Sequence, residues 1–436
     1  MSKLYCYSKK SLKMIFKAWI FGFLFLGISI QNGLSSQTNT FNHSIQSIKK
    51  PDTILASSPP MGWNSWNYFG KQRINQELVK QIIDSIADHG LKDAGYEYVV
   101  IDGGWRDTKL GPQGQLLSHP EKFPDGMKVL VDYAHAKGLK FGLHTVPGSH
   151  DCINDPVGGF GKEEIHIQQF VDWGIDFVKL DMCILKDGWT EELLKETYFK
   201  WHRLLNEKSN KRIIFSISGY KFRTWNPQIS HMSRTTGDIS ARVGGMSGTD
   251  AVFDGSISEN ESTWKVYTIM EVAEENNKWY RYAGNGYWND PDMLVTGDHG
   301  MSIAEQKSHF ALWCIMSSPL MLGNNPLEIS QEERKIILNR TAIRINQDST
   351  QQGKRILQDE SSEVWAKKLR GGHVAVLLLN RSIVDEKRIK IDLETLGIDR
   401  TVDVIDVYEN KVLDQSNKSI SYTIKPQSSL FLLLEH

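Results

Sequence analysis

Apolar and polar positions change their spacing once, decisively, along this chain. From Pro59 to about Gln347, short apolar runs alternate with stretches whose apolar residues fall three or four apart. The clearest of the latter follows Asn75, a residue suited to capping a helix, with Leu78, Ile82 and Ile86 on one face. Helical patterns end at His89-Gly90, Lys137-Gly138 and Trp173-Gly174, where glycine suits a left-handed cap. Each is followed by a β-rich run: "YEYVVID" (96–102), "LKFGLHTV" (139–146) and "IDFVKLD" (175–181). Alternating β and α units predict a parallel sheet. Further runs beginning at Met61, Arg212, Ser233, Tyr287 and Pro319 bring the strand count to eight over about 290 residues, the tally of an α/β fold of the (β/α)8 TIM barrel type. No glycine-rich phosphate loop follows the first run, which weakens a doubly wound alternative.

After Gln347 the helical period disappears. "SEVWAKKL", "HVAVLLLN", "RIKIDL", "VDVIDVY", "SISYTI" and "SLFLLLE" are short apolar or alternating runs separated by turns. We therefore place a catalytic-size barrel at 57–348 and an antiparallel β-sandwich at 349–436. The second unit is either a sugar-binding module or a packing domain, and no binding residue stands out in it.

The first 36 residues carry Lys3, Lys9, Lys10, Lys13 and Lys17 before the apolar stretch from Ala18 to Ile30, then small and polar residues. That order predicts a secretory signal. At about 13 residues the apolar stretch falls short of the roughly 20 that a spanning helix needs, so no membrane span is expected after cleavage, and 37–56 is expected to be a loose arm. The destination is then secreted or periplasmic. With 51 basic against 52 acidic residues and no basic run in the folded part, a nucleic-acid partner is not expected. Cysteine spacing matches no zinc pattern, so no metal is expected. Cys152 and Cys183 are candidates for a disulfide in an exported protein, and Cys314, in "ALWCIM", reads as a buried thiol.

Candidate chemistry sits at the ends of the strands. In "FVKLDMC" (177–183), Lys179 and Asp181 lie two apart on an otherwise apolar strand and so share a face. A barrel builds its site at the C-terminal ends of its strands, which places both in the mouth, with Val178 and Leu180 against the helices. Asp102, Asp238, Asp290 and Asp292 close other strands. Two carboxylates across a pocket with aromatic walls are the equipment of glycoside hydrolysis, one attacking or activating water and one donating a proton. Lys179 beside Asp181 is expected to keep that acid ionised. Trp63 and Trp66 are candidate platforms for a sugar ring, with barrel packing as the competing role.

"PPMGWNSW", "LKDAGYEYVVID", "HPEKFPDGMKVLVDYAHAKGLKFGL", "FVDWGIDFVKLDMC", "WNDPDML" and "LWCIMSSPLMLGN" together resemble glycoside hydrolase family 27, the α-galactosidases and α-N-acetylgalactosaminidases. The resemblance covers Pro59 to Gln347 in order. It implies a retaining mechanism with no cofactor, Asp181 as nucleophile, Asp238 as acid/base, and Arg234 and Lys179 as sugar contacts. It further implies that Asp102 grips the far hydroxyls, Trp66 stacks on the ring, Asp292 and Met293 close the pocket, and Cys152 pairs with Cys183. Departures fall in the specificity shell: Gly103 stands where the family has a second acid, His144 where it has tyrosine, Val146 where it has aspartate, and Ser218 where galactosidases have glutamate. Ser218 matches the smaller residue of the N-acetylgalactosaminidases; His144 either bonds the sugar or fills the wall. The expected activity is release of terminal α-galactosyl or closely related residues from an oligosaccharide or polysaccharide. The rivals are an α-N-acetylgalactosaminidase, a β-L-arabinopyranosidase, an α-glucan-cleaving relative and an inactive carbohydrate-binding protein.

Overall fold

The computed structural model describes residues 55–209, 213–239, 267–297 and 301–436. The expected signal segment, and the arm apart from Leu55 and Ala56, lie outside the described residues.

Eight strands form the first sheet: β1 (Met61–Asn64), β2 (Tyr98–Ile101), β3 (Lys140–Thr145), β4 (Phe177–Asp181), β5 (Ile214–Ser218), β6 (Met232–Arg234), β7 (Trp288–Asp290) and β8 (Leu320–Leu322). All pair in parallel, in the order β7-β6-β5-β4-β3-β2-β1-β8. Leu294, just beyond β7, closes the ring against β8: its N–H donates to Met321 (2.7 Å) and its carbonyl accepts from Gly323 (2.8 Å).

Period-two alternation sorts the strand residues into two cores. Tyr98, Val100, Phe177, Ile214, Met232 and Met321 fill the barrel interior, whereas Val99, Ile101, Val178, Leu180, Phe215 and Ile217 face the helices. Gly142 leaves room for this filling, since a Cβ there would lie 2.7 Å from the Phe177 Cβ. Helix α1 (Trp66–Arg73) follows β1, and α2 (Gln76–Asp88) starts where Asn75 accepts from the Leu78 N–H at 3.0 Å. Gly90, Gly138 and Gly174 adopt φ of 86°, 75° and 81°, so the expected left-handed joints are present.

The second unit is antiparallel, with strands β9 (Lys354–Gln358), β10 (Ser362–Lys368), β11 (Val374–Asn380), β12 (Lys387–Asp392), β13 (Val402–Asp406), β14 (Lys411–Ser416), β15 (Ser419–Ile424) and β16 (Ser428–Glu435). Six form one sheet, β14-β13-β16-β11-β10-β9, and β12-β15 cover it. Ile389, Ile391, Ile420 and Ile424 of the small sheet pack on Val364, Val376, Leu378 and Leu432. The opposite face, through Trp365, Leu377, Phe431 and Leu433, joins the core of the barrel's outer layer against the helix Ile303–Ile315. Buried Lys367 on β10 donates to the carbonyls of Ile345, Asn346 and Asp348, capping the barrel's final helix from the sandwich side. The strands β9 and β14 are additional to the runs expected from sequence; both are sheet edges, and their exposed residues show no burial alternation.

Candidate active site

The C-terminal ends of the barrel strands surround a cavity of about 230 Å3. Trp66, Asp102, His144, Lys179, Asp181, Arg234, Asp238 and Met293 all line it, and no residue of the sandwich does.

Strand β4 ends on Asp181, and the alternation that buries Val178 and Leu180 outward turns Lys179 and Asp181 inward. Their partners differ from the sequence expectation. The Lys179 ammonium reaches Asp102 Oδ2 at 2.6 Å, not Asp181, because Asp102 follows β2 directly and lies across the mouth. Asn64 Nδ2 also donates to Asp102 Oδ2 (3.0 Å) and the Gly103 N–H to Oδ1 (2.9 Å). Burial alone would raise the Asp102 carboxyl, but the Lys179 charge and the hydrogen bonds from Lys179 and Asn64 hold it well below the carboxylate range. The same pairing holds Lys179 above its usual range against the effect of burial.

Asp181 is held instead by His144, whose Nε2 lies 3.3 Å from Oδ2. The other imidazole nitrogen, Nδ1, is 3.5 Å from Arg106 Nη2. A guanidinium can only donate, so Nδ1 accepts and Nε2 carries the proton given to Asp181. Burial raises the Asp181 carboxyl; the His144 hydrogen bond and the Lys179 charge outweigh it, and the group is held below its ordinary value. Among the described residues its buried Oδ1 has no hydrogen-bond partner. This is one oxygen fixed and one oxygen free, in the ionised state a nucleophile needs.

Arg234, the last residue of β6, carries Asp238. Its Nη2 lies 3.2 Å from Asp238 Oδ1 and 2.8 Å from Asp292 Oδ2. Asp292 has φ of 88°, strained for an aspartate, and accepts from the N–H groups of Ile239 (2.9 Å) and Met293 (2.8 Å). Burial, then the neighbouring Asp238 and Asp290 against the pull of Arg234, push its carboxyl up to about 7. Asp292 thus stands behind Arg234 and does not line the cavity.

Trp66 does not end β1 but opens α1, its N–H bonded to Asn64 Oδ1 at 2.9 Å. A Cβ added to Gly103 would lie 3.0 Å from Trp66 Cζ3, so the indole occupies the space in which a side chain at 103 would start. Trp63 is fully buried with its indole N–H on the Asn324 carbonyl (2.7 Å), a packing role. Ser218 is buried beside Asp181 in the β5 register and off the cavity. The residue from that strand end that does line it is Tyr220, at φ of 58°. The wall is pinned by the disulfide Cys152–Cys183, with Cα atoms 4.7 Å apart, and Cys314 is a buried free thiol. Donor atoms of His144, Asp181 and Cys183 lie within 4.8 Å of one another, but Cys183 is oxidised and offers no thiolate. Arg106 and Tyr220 were not singled out from sequence; both belong to loops without periodicity.

Replacing Asp102 by Asn leaves the buried Lys179 ammonium uncompensated and is expected to cost about 3–5 kcal/mol of stability, measured by urea unfolding at pH 7. The folded pKa of Asp102 is depressed, so its contribution is present above the unfolded value of about 3.9 and lost as pH falls through the folded value. Parent and variant are expected to converge in strong acid.

The family model described as Alpha galactosidase A matches residues 58–348, and that of the Alpha galactosidase C-terminal beta sandwich domain matches 359–434. The chain is 36% identical over 333 residues to an alpha-galactosidase of Oryza sativa subsp. japonica, covering 75% of this chain and 72% of that one. It is 34% identical over 383 residues to alpha-galactosidase 2 of Arabidopsis thaliana, covering 86% and 88%. The crystal structure of alpha-galactosidase I from Mortierella vinacea superposes with a TM-score of 0.79 at 27% identity, covering 88% of this chain and 98% of that one. A closed barrel with paired acids at its mouth, its attached sandwich and these matches agree: the chain is a glycoside hydrolase belonging to family 27, the α-galactosidase family.

Proposed function

We propose that this is an exported, retaining exo-glycosidase that releases terminal α-galactosyl residues from oligosaccharides or polysaccharides. The observation that carries the reading is Asp181: held ionised, hydrogen-bonded through one oxygen to His144, and lining a cavity shared with Asp238. The Asp181 carboxylate attacks the anomeric carbon while Asp238 gives its proton to the departing glycosidic oxygen. The bond that forms is a galactosyl ester; the bond that breaks is the glycosidic C–O bond. Asp238, now a carboxylate, takes a proton from water as that water displaces Asp181, and the configuration is retained.

Arg234 orients Asp238, Lys179 and Asp102 grip ring hydroxyls, Trp66 covers an apolar ring face, and Met293 closes the floor. An α-galactosidase activity is supported by the plant relatives, which bear that name. A cavity rather than an open cleft suits a chain end. The disulfide supports an oxidising destination outside the cytoplasm, and no helix among the described residues is long and apolar enough to cross a membrane. Ser218, lying off the cavity, lends no room to an acetamido group.

The test is a panel of nitrophenyl glycosides. The α-galactoside is expected to be hydrolysed faster than the α-N-acetylgalactosaminide, the β-L-arabinopyranoside and the α-glucoside. Sugar binding without turnover of any of the four overturns the enzyme reading.

A further inference from the structure

The cavity extends past the reacting acids. Asp181 and Asp238 come from the ends of β4 and β6; in a ring of eight, β2 stands opposite β6. The wall on that side, built by segments following β1 and β2, carries Arg106, Lys71 and Lys122. The leaving group lies toward Asp238, so this wall meets the end of the bound sugar remote from the scissile bond.

Arg106 is 8% exposed and lines the cavity, and among the described residues its Nη1 has no hydrogen-bond partner. Its Nη2 is engaged at the limit of contact, 3.5 Å from His144 Nδ1 and 3.9 Å from Asp151 Oδ2, and its guanidinium sits 5.8 Å from the Trp105 ring centroid. A buried donor left unpaired is unfavourable unless a ligand completes it. Lys122 Nζ donates to the backbone carbonyl of Lys71 at 2.6 Å, and its ammonium is pulled down first by burial and then by the Lys71 charge. Among the described residues, neither lysine is in an ion pair.

Three acids lie within reach of these cations: Asp102 at the end of β2, whose charge Lys179 takes at 2.6 Å, and Asp151 and Asp155 from the segment after β3. Asp151 Oδ1 is taken by the N–H groups of Ile153 (3.1 Å) and Asp155 (2.9 Å), and the Asp155 carboxyl is pushed up by burial and by Asp151 against the charges of Lys71 and Arg106. With Lys179 and Asp102 counted as a pair, three cations face the two remaining carboxylates.

We propose that Arg106, Lys71 and Lys122 read an anionic group, a carboxylate or a sulfate ester, on the far end of the sugar, so that the preferred glycone is an acidic galactoside. The inference rests on the galactosidase reading above and names its substrate class. A planar guanidinium with a free N–H suits both oxyanions, and two lysines add point charge at the rim.

Isothermal titration with galactose, galacturonate and galactose 6-sulfate separates the sources of charge. At least one anionic sugar is expected to bind about tenfold more tightly than galactose at low salt, with the gap shrinking at high salt. Arg106→Met, and independently the double variant Lys71→Gln with Lys122→Gln, are expected to reduce that ratio by about fivefold or more. The lysine pair makes no contact with Asp181 or its holders and guards against a folding defect in the arginine variant. A gain for galacturonate alone assigns a carboxylate, and a gain for the sulfate alone assigns an ester. No gain for either anion over galactose overturns the inference, whether or not the neutral α-galactoside is turned over; that turnover is scored separately and bears on the galactosidase reading alone.

Discussion

Asp181→Asn is expected to lower kcat/KM for a nitrophenyl α-galactoside by about 10,000-fold or more, with the fold retained. The amide oxygen still accepts from His144 Nε2, so the local hydrogen bond survives, while the carboxylate that attacks carbon is lost. The interactions with His144 and Lys179 outweigh the desolvation of Asp181, so loss of its charge is expected to lower the unfolding temperature modestly while the fold is kept. Circular dichroism melts of parent and variant check this; near-parental activity would remove Asp181 from the nucleophile's role. The parent's pH profile carries the same signature. Because His144 and Lys179 hold the Asp181 carboxyl below its ordinary value, the acid limb of kcat/KM is expected below about pH 3.9 if the fold survives there.

Asp238→Ala is expected to reduce turnover by about 100- to 10,000-fold, graded by leaving group. An oligosaccharide leaves as a poorly acidic alcohol and needs the proton; a nitrophenolate needs it far less. The defect is therefore expected to be much larger for a natural α-galactoside than for the nitrophenyl one. Arg234 keeps its 2.8 Å bond to Asp292 in the variant, so the wall that carries the acid stays in place. Added azide is expected to restore turnover of the nitrophenyl substrate and to give α-galactosyl azide, because it displaces Asp181 from the face that water uses. An equal loss for both leaving groups would contradict the acid/base assignment.

The barrel was legible because its signals are local and redundant. Gly90, Gly138 and Gly174 mark the joints, Asn75 marks a helix start, and Lys179 with Asp181 break an apolar strand at a spacing of two, which fixes their common face. The edge strands β9 and β14 left no such trace, since a strand exposed on both sides need not alternate. Within the site, strand-end residues could be placed by counting, but partners across the barrel could not. Whether Lys179 meets Asp181 on its own strand or Asp102 two strands away depends on the length and direction of the side chain, and the structure gives the second. Arg106 and Tyr220 project from loops after β2 and β5, where no periodicity points inward. Ser218 and Asp292 illustrate the converse: both occupy positions with the right sequence neighbours, yet one lies buried in the strand register and the other behind Arg234.

The most direct measurement is to trap the sugar on the enzyme. A 2-deoxy-2-fluoro- or 2,2-difluoro-α-galactosyl compound with a reactive leaving group slows the second step, so the ester accumulates and can be located by mass spectrometry after reduction and digestion. The fluorosugar is expected on the tryptic peptide that begins at Leu180, attached through Asp181. Attachment to another carboxylate, or a first-formed product of inverted anomeric configuration with no adduct, would contradict a nucleophile at the end of β4.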